Sequence, residues 1–227
     1  PILGRTLDML ESWGVEEALI NLHHAAPSVF EFIRSKPPGR TRIQLSFEPQ
    51  VLGTGGALRK AEWFLSDEPL WMINGDVVAD LSPSPLIRTF QDSRCMAALW
   101  LHDQLGPRTV EMHGNLGRNF HSARPRTAGT YTFCGLHLLS PRILEFLPLS
   151  GPASIITAYE RAMAAGIRIA GVCLGDTYWA DIGTVPGYLE AHRQTRNLCR
   201  TQRNRPPAAW PGPAGARARI GEWAAFG

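Results

Sequence analysis

A chain of 227 residues, 44% hydrophobic and 19% charged, has the apolar material for one large α/β domain, or for one domain and a tail, and the composition of a globular protein. A net charge of +3, with no stretch that combines dense Lys/Arg with aromatics, argues against a nucleic-acid partner, and no apolar run approaches a membrane span. Cys95, Cys134, Cys173 and Cys199 are widely spaced without a Cys-x-x-Cys pair, which predicts reduced thiols in a cytoplasmic protein, not a disulfide frame or a zinc site.

In chain order, Thr6 is placed to cap a short helix carrying Leu7 and Leu10 inward, with Gly14 ending it. Ala18 to Leu22 reads as a buried strand. Pro27 suits the first turn of a second helix with Val29, Phe30 and Ile33 on its apolar face. Ile43 to Phe47 is the next strand, followed by Glu48 and the stretch Leu52-Gly53-Thr54-Gly55-Gly56-Ala57-Leu58, which enters a helix running through Phe64. Glycines before a helix N-terminus let a backbone approach a ligand and favour anions or polar ring edges. The spacing is neither a Walker loop nor a dinucleotide fingerprint, and a plain helix entry explains it equally well.

Leu70 to Ile73 is apolar without alternation, the pattern of a strand buried on both faces of a sheet, and it stops at Asn74-Gly75-Asp76. Ligands of open α/β sheets sit beyond the carboxyl ends of strands, where Asp76 is well placed to hold a cation. On this stretch alone, an Asn-Gly hairpin joining Trp71–Ile73 to Val77–Leu81 stands as the alternative. The strict alternation of helices and strands up to the Pro83–Arg94 helix counts against it.

Beyond that helix the pattern changes. Strands over 96–101, 109–112, 117–120 and 131–139 follow one another without helices, which predicts an antiparallel patch. A short helix from Pro141, a longer one over Ile155–Ala165, a strand over Ile167–Leu174 and a helix from Val185 to Thr195 complete the core. Tyr178 to Thr184 brings Asp181 out at the end of an apolar segment, where it either binds a cation or caps the following helix. His23 and His24 read as supports for packing, and Trp179 as core.

Five segments together resemble the sugar-1-phosphate nucleotidylyltransferases, particularly their mannose-1-phosphate guanylyltransferase-like and N-acetylmuramate-1-phosphate uridylyltransferase-like branch. They are Asn21-Leu22-His23-His24; Glu48 with Leu52 to Leu58; Ile73-Asn74-Gly75-Asp76; Phe133 to His137 before Ser140-Pro141; and Trp179 to Thr184 before Tyr188-Leu189. They occur in the family's order over nearly the whole chain to about residue 195. The resemblance implies a Rossmann-like three-layer αβα nucleotidyltransferase fold, with a mixed, mostly parallel sheet and an antiparallel patch. It implies transfer of a nucleoside monophosphate from a nucleoside triphosphate to a sugar 1-phosphate. Asp76 and Asp181 would be the catalytic, Mg²⁺-holding pair. Glu48, Leu52, Gly53, Thr54, Asn74 and Gly75 would contact the nucleotide, and Gly135 and Ser154 the sugar. No nucleic acid or membrane is expected, and a homo-oligomer is allowed.

The departures lie at the ends. Relatives open with a glycine-rich Arg/Lys loop that grips the outer phosphates; here the chain starts in mid-pattern without Met, Gly4-Arg5 resembles the turn after that loop, and a missing upstream piece is expected. The domain is therefore read as 1–195 without its phosphate loop. Residues 196–227 are read as a Pro/Arg-rich linker, with Ala216 to Gly227 resembling the opening coil of a left-handed β-helix. A homologue that binds nucleotide or nucleotide sugar without turnover is the alternative function. A metal-dependent glycosyltransferase is disfavoured, since no Asp-x-Asp pair follows a strand.

Overall fold

The computed structural model describes residues 1–37, 39–201 and 217–220. The first half alternates as its periodicities require: α1 (Ile2–Ser12), β1 (Glu17–Leu22), α2 (Ala26–Ser35), β2 (Arg42–Phe47), α3 (Gly53–Lys60), β3 (Leu70–Ile73), β4 (Val77–Ala79) and α4 (Ser84–Ser93). The second half runs β5 (Ala97–His102), β6 (Val110–His113), β7 (Leu116–Asn119), β8 (Thr130–Leu139), a 3₁₀ turn (Pro141–Phe146), α5 (Ile155–Ala164), β9 (Ile169–Cys173), β10 (Trp179–Asp181), α6 (Val185–Thr201) and β11 (Arg217–Ile220).

Among the described residues the main sheet has the order β2-β1-β11-β3-β8-β5-β9-β7-β6, and β4 and β10 form a separate two-stranded ribbon. The β2-β1-β11-β3 side and the β5–β9 pair are parallel; β8 is antiparallel to β3 and β5, and β6 and β7 form the antiparallel patch. Side-chain alternation assigns the layers. Trp71 and Ile73 of β3 pack with Leu3, Leu7 and Leu10 of α1 and with Leu86 and Ile87 of α4. Leu70 and Met72 face the opposite way, onto Leu58 of α3 and Ile155, Tyr159 and Ala162 of α5. Helices thus cover both faces, which is why β3 carries no polar residue and why the fold is a three-layer αβα arrangement with a mixed sheet.

Several local expectations change. Helix α1 begins at Ile2, so Gly4 and Arg5 are helical and do not form a turn, and Thr6 lies inside the helix with its hydroxyl toward the Ile2 carbonyl. On α2 the inward aromatic is Phe32; Phe30 is 48% exposed. The helix after the glycine stretch breaks at Ala61 into a 3₁₀ turn over Glu62–Phe64. Helix α6 continues to Thr201, into the span read as linker. Arg217–Ile220, read as part of a β-helix coil, is a strand of the main sheet; the rest of the 196–227 reading, over 202–216 and 221–227, lies outside the described residues. No helix among the described residues is long and apolar enough to cross a membrane.

Candidate active site

The carboxyl end of β3 is where the chain leaves the sheet. The Asn74 amide donates to the Gly135 carbonyl at 2.8 Å, continuing the β3–β8 ladder by one residue. Gly135 sits at φ +74, beside the point where β8 slips register against β5, and a Cβ built there would lie 2.8 Å from Asn74 Nδ2. Only glycine satisfies both the left-handed backbone and this close approach. The turn through Gly75 and Asp76 then carries the chain away from β3, so β4 pairs with β10 instead, Val77 opposite Asp181. The Asn-Gly hairpin is thereby excluded.

That ribbon brings two acidic residues together from more than 100 positions apart. The Ile182 amide donates to the Asp76 carbonyl at 2.8 Å, which fixes the backbone of one acidic segment to the other. Asp76 is half-buried, and its carboxyl is pushed above the usual carboxylate range, first by burial and then by the negative charge of Asp181; a hydrogen bond from its own amide pulls weakly the other way. Asp181 is exposed and accepts the Gly183 amide at 2.8 Å, closing a turn before α6, while Thr184 Oγ1 accepts the Gly187 amide at 3.2 Å in the helix's first turn. Trp179, 7% exposed, anchors β10: its indole N–H donates to the Cys134 carbonyl at 2.9 Å.

The pair suits a hard divalent cation, since oxygen donors of like charge held close repel until a cation lies between them. Among the described residues no group of three or more His, Cys, Asp or Glu could hold a metal, so the remaining ligands would come from substrate oxygens and water. A cavity of about 290 Å³ adjoins the ribbon on the α1–α6 side, lined by Ile2, Arg5, Val78, Ile182, Tyr188 and His192 among others.

A second group forms at the carboxyl end of β1. Glu48 is 1% exposed and accepts Asn21 Nδ2 at 2.8 Å; its other oxygen lies 3.4 Å from the Leu52 amide, and the His23 ring meets its carbonyl at 2.7 Å. Glu48 thus clamps the 48–52 loop onto the strand. Leu52, Gly53 and Thr54 follow at the half-exposed start of α3, Gly53 at φ +65. The Gly55 and Gly56 amides, which a helix entry would offer to an anion, both donate to the Ala153 carbonyl, at 2.8 and 3.1 Å. The Ala153 amide in turn donates to Leu52, the Ile155 amide donates to Thr54 Oγ1 at 3.1 Å, and Ser154 caps α5 by accepting the Ile156 amide at 3.1 Å. Gly55 and Gly56 permit this contact, because a Cβ on either would lie within 3 Å of Leu147 or of the Gly151 carbonyl.

Asn74, Gly75, Asp76, Gly135 and Asp181 therefore form one group, and Glu48, Leu52, Gly53, Thr54 and Ser154 another. Ile20 of β1 and Ile73 of β3 are both in register with Ile220 of β11, so Asn21, still within β1, and Asn74, the first residue beyond β3, lie at one level of the same rim. Sequence reasoning missed Ala153 and Cys134, which act through backbone carbonyls that their side chains do not advertise.

The molecule is thus a three-layer αβα fold with an acidic pair beyond the end of a central strand, the place where ligands of open α/β sheets sit. No family model matches the chain. It is 28% identical over 206 residues to the N-acetylmuramate alpha-1-phosphate uridylyltransferase of Caulobacter vibrioides, covering 84% of this chain and 82% of that one. It is 22% identical over 214 residues to the UTP–glucose-1-phosphate uridylyltransferase of Synechocystis sp., covering 85% of this chain and 55% of the relative, so it spans only about half of that protein. The crystal structure of HddC from Yersinia pseudotuberculosis superposes with a TM-score of 0.70 at 21% identity, over 86% of this chain and 85% of that one, a likeness of fold. Over most of its length the chain is thus similar to curated sugar-1-phosphate nucleotidyltransferases, and its fold is that of solved nucleotidyltransferases.

Proposed function

We propose that this protein transfers a nucleoside monophosphate from a nucleoside triphosphate to a sugar 1-phosphate, releasing pyrophosphate. The observation that carries the reading is the meeting of Asp76 and Asp181 on the β4–β10 ribbon, at the end of a buried strand. Both reactants are anionic at the reacting atoms, so the task is alignment and charge compensation more than nucleophilic attack by the protein. Mg²⁺ held by Asp76 and Asp181 would supply that compensation. The chain's own residues position: the Glu48–Asn21 clamp shapes the loop from which Leu52, Gly53 and Thr54 would contact base and ribose, and Asn74 and Gly75 would complete the nucleotide side. Gly135 and Ser154 would contact the sugar; Gly135 lets the Asn74 side chain lie against the β8 backbone, and Ser154 caps α5. We place the protein in the cytoplasm, where buried Cys95 and Cys134 stay reduced; a homo-oligomer is compatible with this reading.

The alternative reading is a homologue that binds nucleotide or nucleotide sugar without turnover. Pyrophosphate release, measured with Mg²⁺ across a panel of nucleoside triphosphates and sugar 1-phosphates, separates the two. Transfer predicts release that falls at least about 100-fold in Asp76→Ala and in Asp181→Ala with folding intact. Saturable nucleotide binding with no release establishes the second reading, and absence of both overturns the assignment.

A further inference from the structure

The last turn of α3 carries an arginine that is turned away from solvent. The Arg59 side chain is only 13% exposed, and its guanidinium lies over the end of the 3₁₀ turn that precedes α5. Nε donates to the Pro148 carbonyl at 3.2 Å, and Nη2 donates to the Leu147 carbonyl at 3.3 Å and to the Leu144 carbonyl. Nη1 donates to Glu62 at 3.2 Å. Carbonyls at the end of a helical turn lack partners within it, so a cationic donor is favoured there both by charge and by hydrogen bonding. The planar fork lets one side chain meet three carbonyls, which a single ammonium does not match.

The same segment is held again at its far end, where the Ala153 carbonyl accepts the Gly55 and Gly56 amides and the Ile155 amide donates to Thr54 Oγ1. Between the two attachments residues 149–152 are exposed. The Leu147 side chain closes over Gly55, where a Cβ would lie 2.6 Å from it. Helix α3 therefore brackets residues 144–155, with Arg59 at one end and the glycine amides at the other. Thr54 belongs to the helix and Ser154 to the bracketed segment, so the bracket sets the spacing between the nucleotide-side and sugar-side groups of the candidate site. Arg161 of α5 makes a useful contrast. From an exposed position it donates to the Phe146 carbonyl at 3.2 Å, touching the same turn without tying it to α3.

We propose that Arg59 is a positioning residue: by holding the 144–148 turn on α3 it keeps the Ala153 carbonyl on the glycine amides and Ser154 at a fixed distance from Thr54. The bracket follows from the geometry alone; its effect on the sugar 1-phosphate rests on the nucleotide-transfer reading. Without Arg59 the turn is free to drift from α3 and carries Ala153 and Ser154 with it. Leu52, held by the Glu48 carboxylate at the other side of the loop, keeps its place. Loss of Arg59 is therefore felt on the sugar side first.

The test uses the full chain with Arg59→Ala, with Arg59→Lys, which keeps the charge and the stem without the fork, and with Arg161→Ala as the control. In hydrogen exchange without ligand, the Gly55, Gly56 and Ile155 amides should exchange about tenfold faster in Arg59→Ala and at least about threefold faster in Arg59→Lys, while β5 and β9 stay protected and Arg161→Ala matches the parent. Unchanged exchange of these amides in Arg59→Lys, or loss of protection spread evenly over the sheet in that variant, overturns the bracket, even if Arg59→Ala fails to fold. In pyrophosphate release with the substrate pair best used by the parent, Arg59→Lys should raise the KM for sugar 1-phosphate about tenfold and leave that for the nucleoside triphosphate within about twofold. Faster exchange with the two KM values moving together overturns the positioning role. Selective exchange at Gly55 and Gly56 in a protein whose parent releases no pyrophosphate with any pair would leave the bracket standing and remove the transfer reading instead.

Discussion

The Asp76 carboxyl is the most informative single group in the molecule. Its folded proton affinity is raised, so its contribution to stability is complete below its ordinary value of 3.8 and is lost as pH rises through the raised folded value. Asp181→Asn removes the like charge and leaves burial, so the Asp76 midpoint should fall part of the way toward 3.8 and the loss of stability on the alkaline side should shrink. Carboxyl-carbon NMR titration checks this, and an unmoved midpoint means that the two acids do not share a site. The glycine loop offers a second residue-scale test. A Cβ on Gly56 would sit 2.5 Å from the Gly151 carbonyl, so Gly56→Ala should cost about 1–3 kcal/mol in denaturant unfolding as α3 and the 151–154 segment part. The place of Asp76 beyond the end of β3 was legible because the alternation of helices and strands outweighed the Asn-Gly hairpin that the stretch alone allowed. The capture of the Gly55 and Gly56 amides by Ala153 was not, because nothing in a Leu-Gly-Thr-Gly-Gly run says whether a ligand or a distant carbonyl fills the concavity.

At the scale of elements, the ribbon of β4 and β10 decides whether an acidic pair exists at all. Each strand is three residues long, too short to persist on pairing alone, and the Trp179 indole bonded to the Cys134 carbonyl attaches it to β8. Trp179→Phe keeps most of the apolar volume but orphans that carbonyl, and should lower stability by about 1–3 kcal/mol while weakening divalent-cation binding more than the Asp76–Asp181 chemistry alone requires. Isothermal titration with Mg²⁺ on the purified variant reads the second effect; unchanged affinity with lowered stability would confine Trp179 to the core. Buried strands and amphipathic helices were readable because their periods differ. The start of α1 was not, since Pro1 and Ile2 carry no polar cap, and the facing of α2 slipped because Phe30 and Phe32 are equally apolar and only tertiary contact chooses Phe32. The four residues of β11 were unreadable as a central strand: alternating Arg and Ala reads as an exposed coil, and only the alignment with β1 and β3 reveals its place.

For the whole molecule, a sheet whose middle member comes from the far end of the polypeptide has a history as well as a shape. On the ribosome, Glu17–Leu22 and Leu70–Ile73 are made long before Arg217–Ile220 emerges, so β11 is the last of their described partners to arrive. Contacts spanning about 150 to 200 residues are the longest in range among the described strands, and pairing of that kind slows folding. Pairing of β11 with β1 and β3 is therefore a late, long-range event, and its arrival should be visible as a slow refolding phase in exchange at Glu17–Ile20 and Leu70–Ile73.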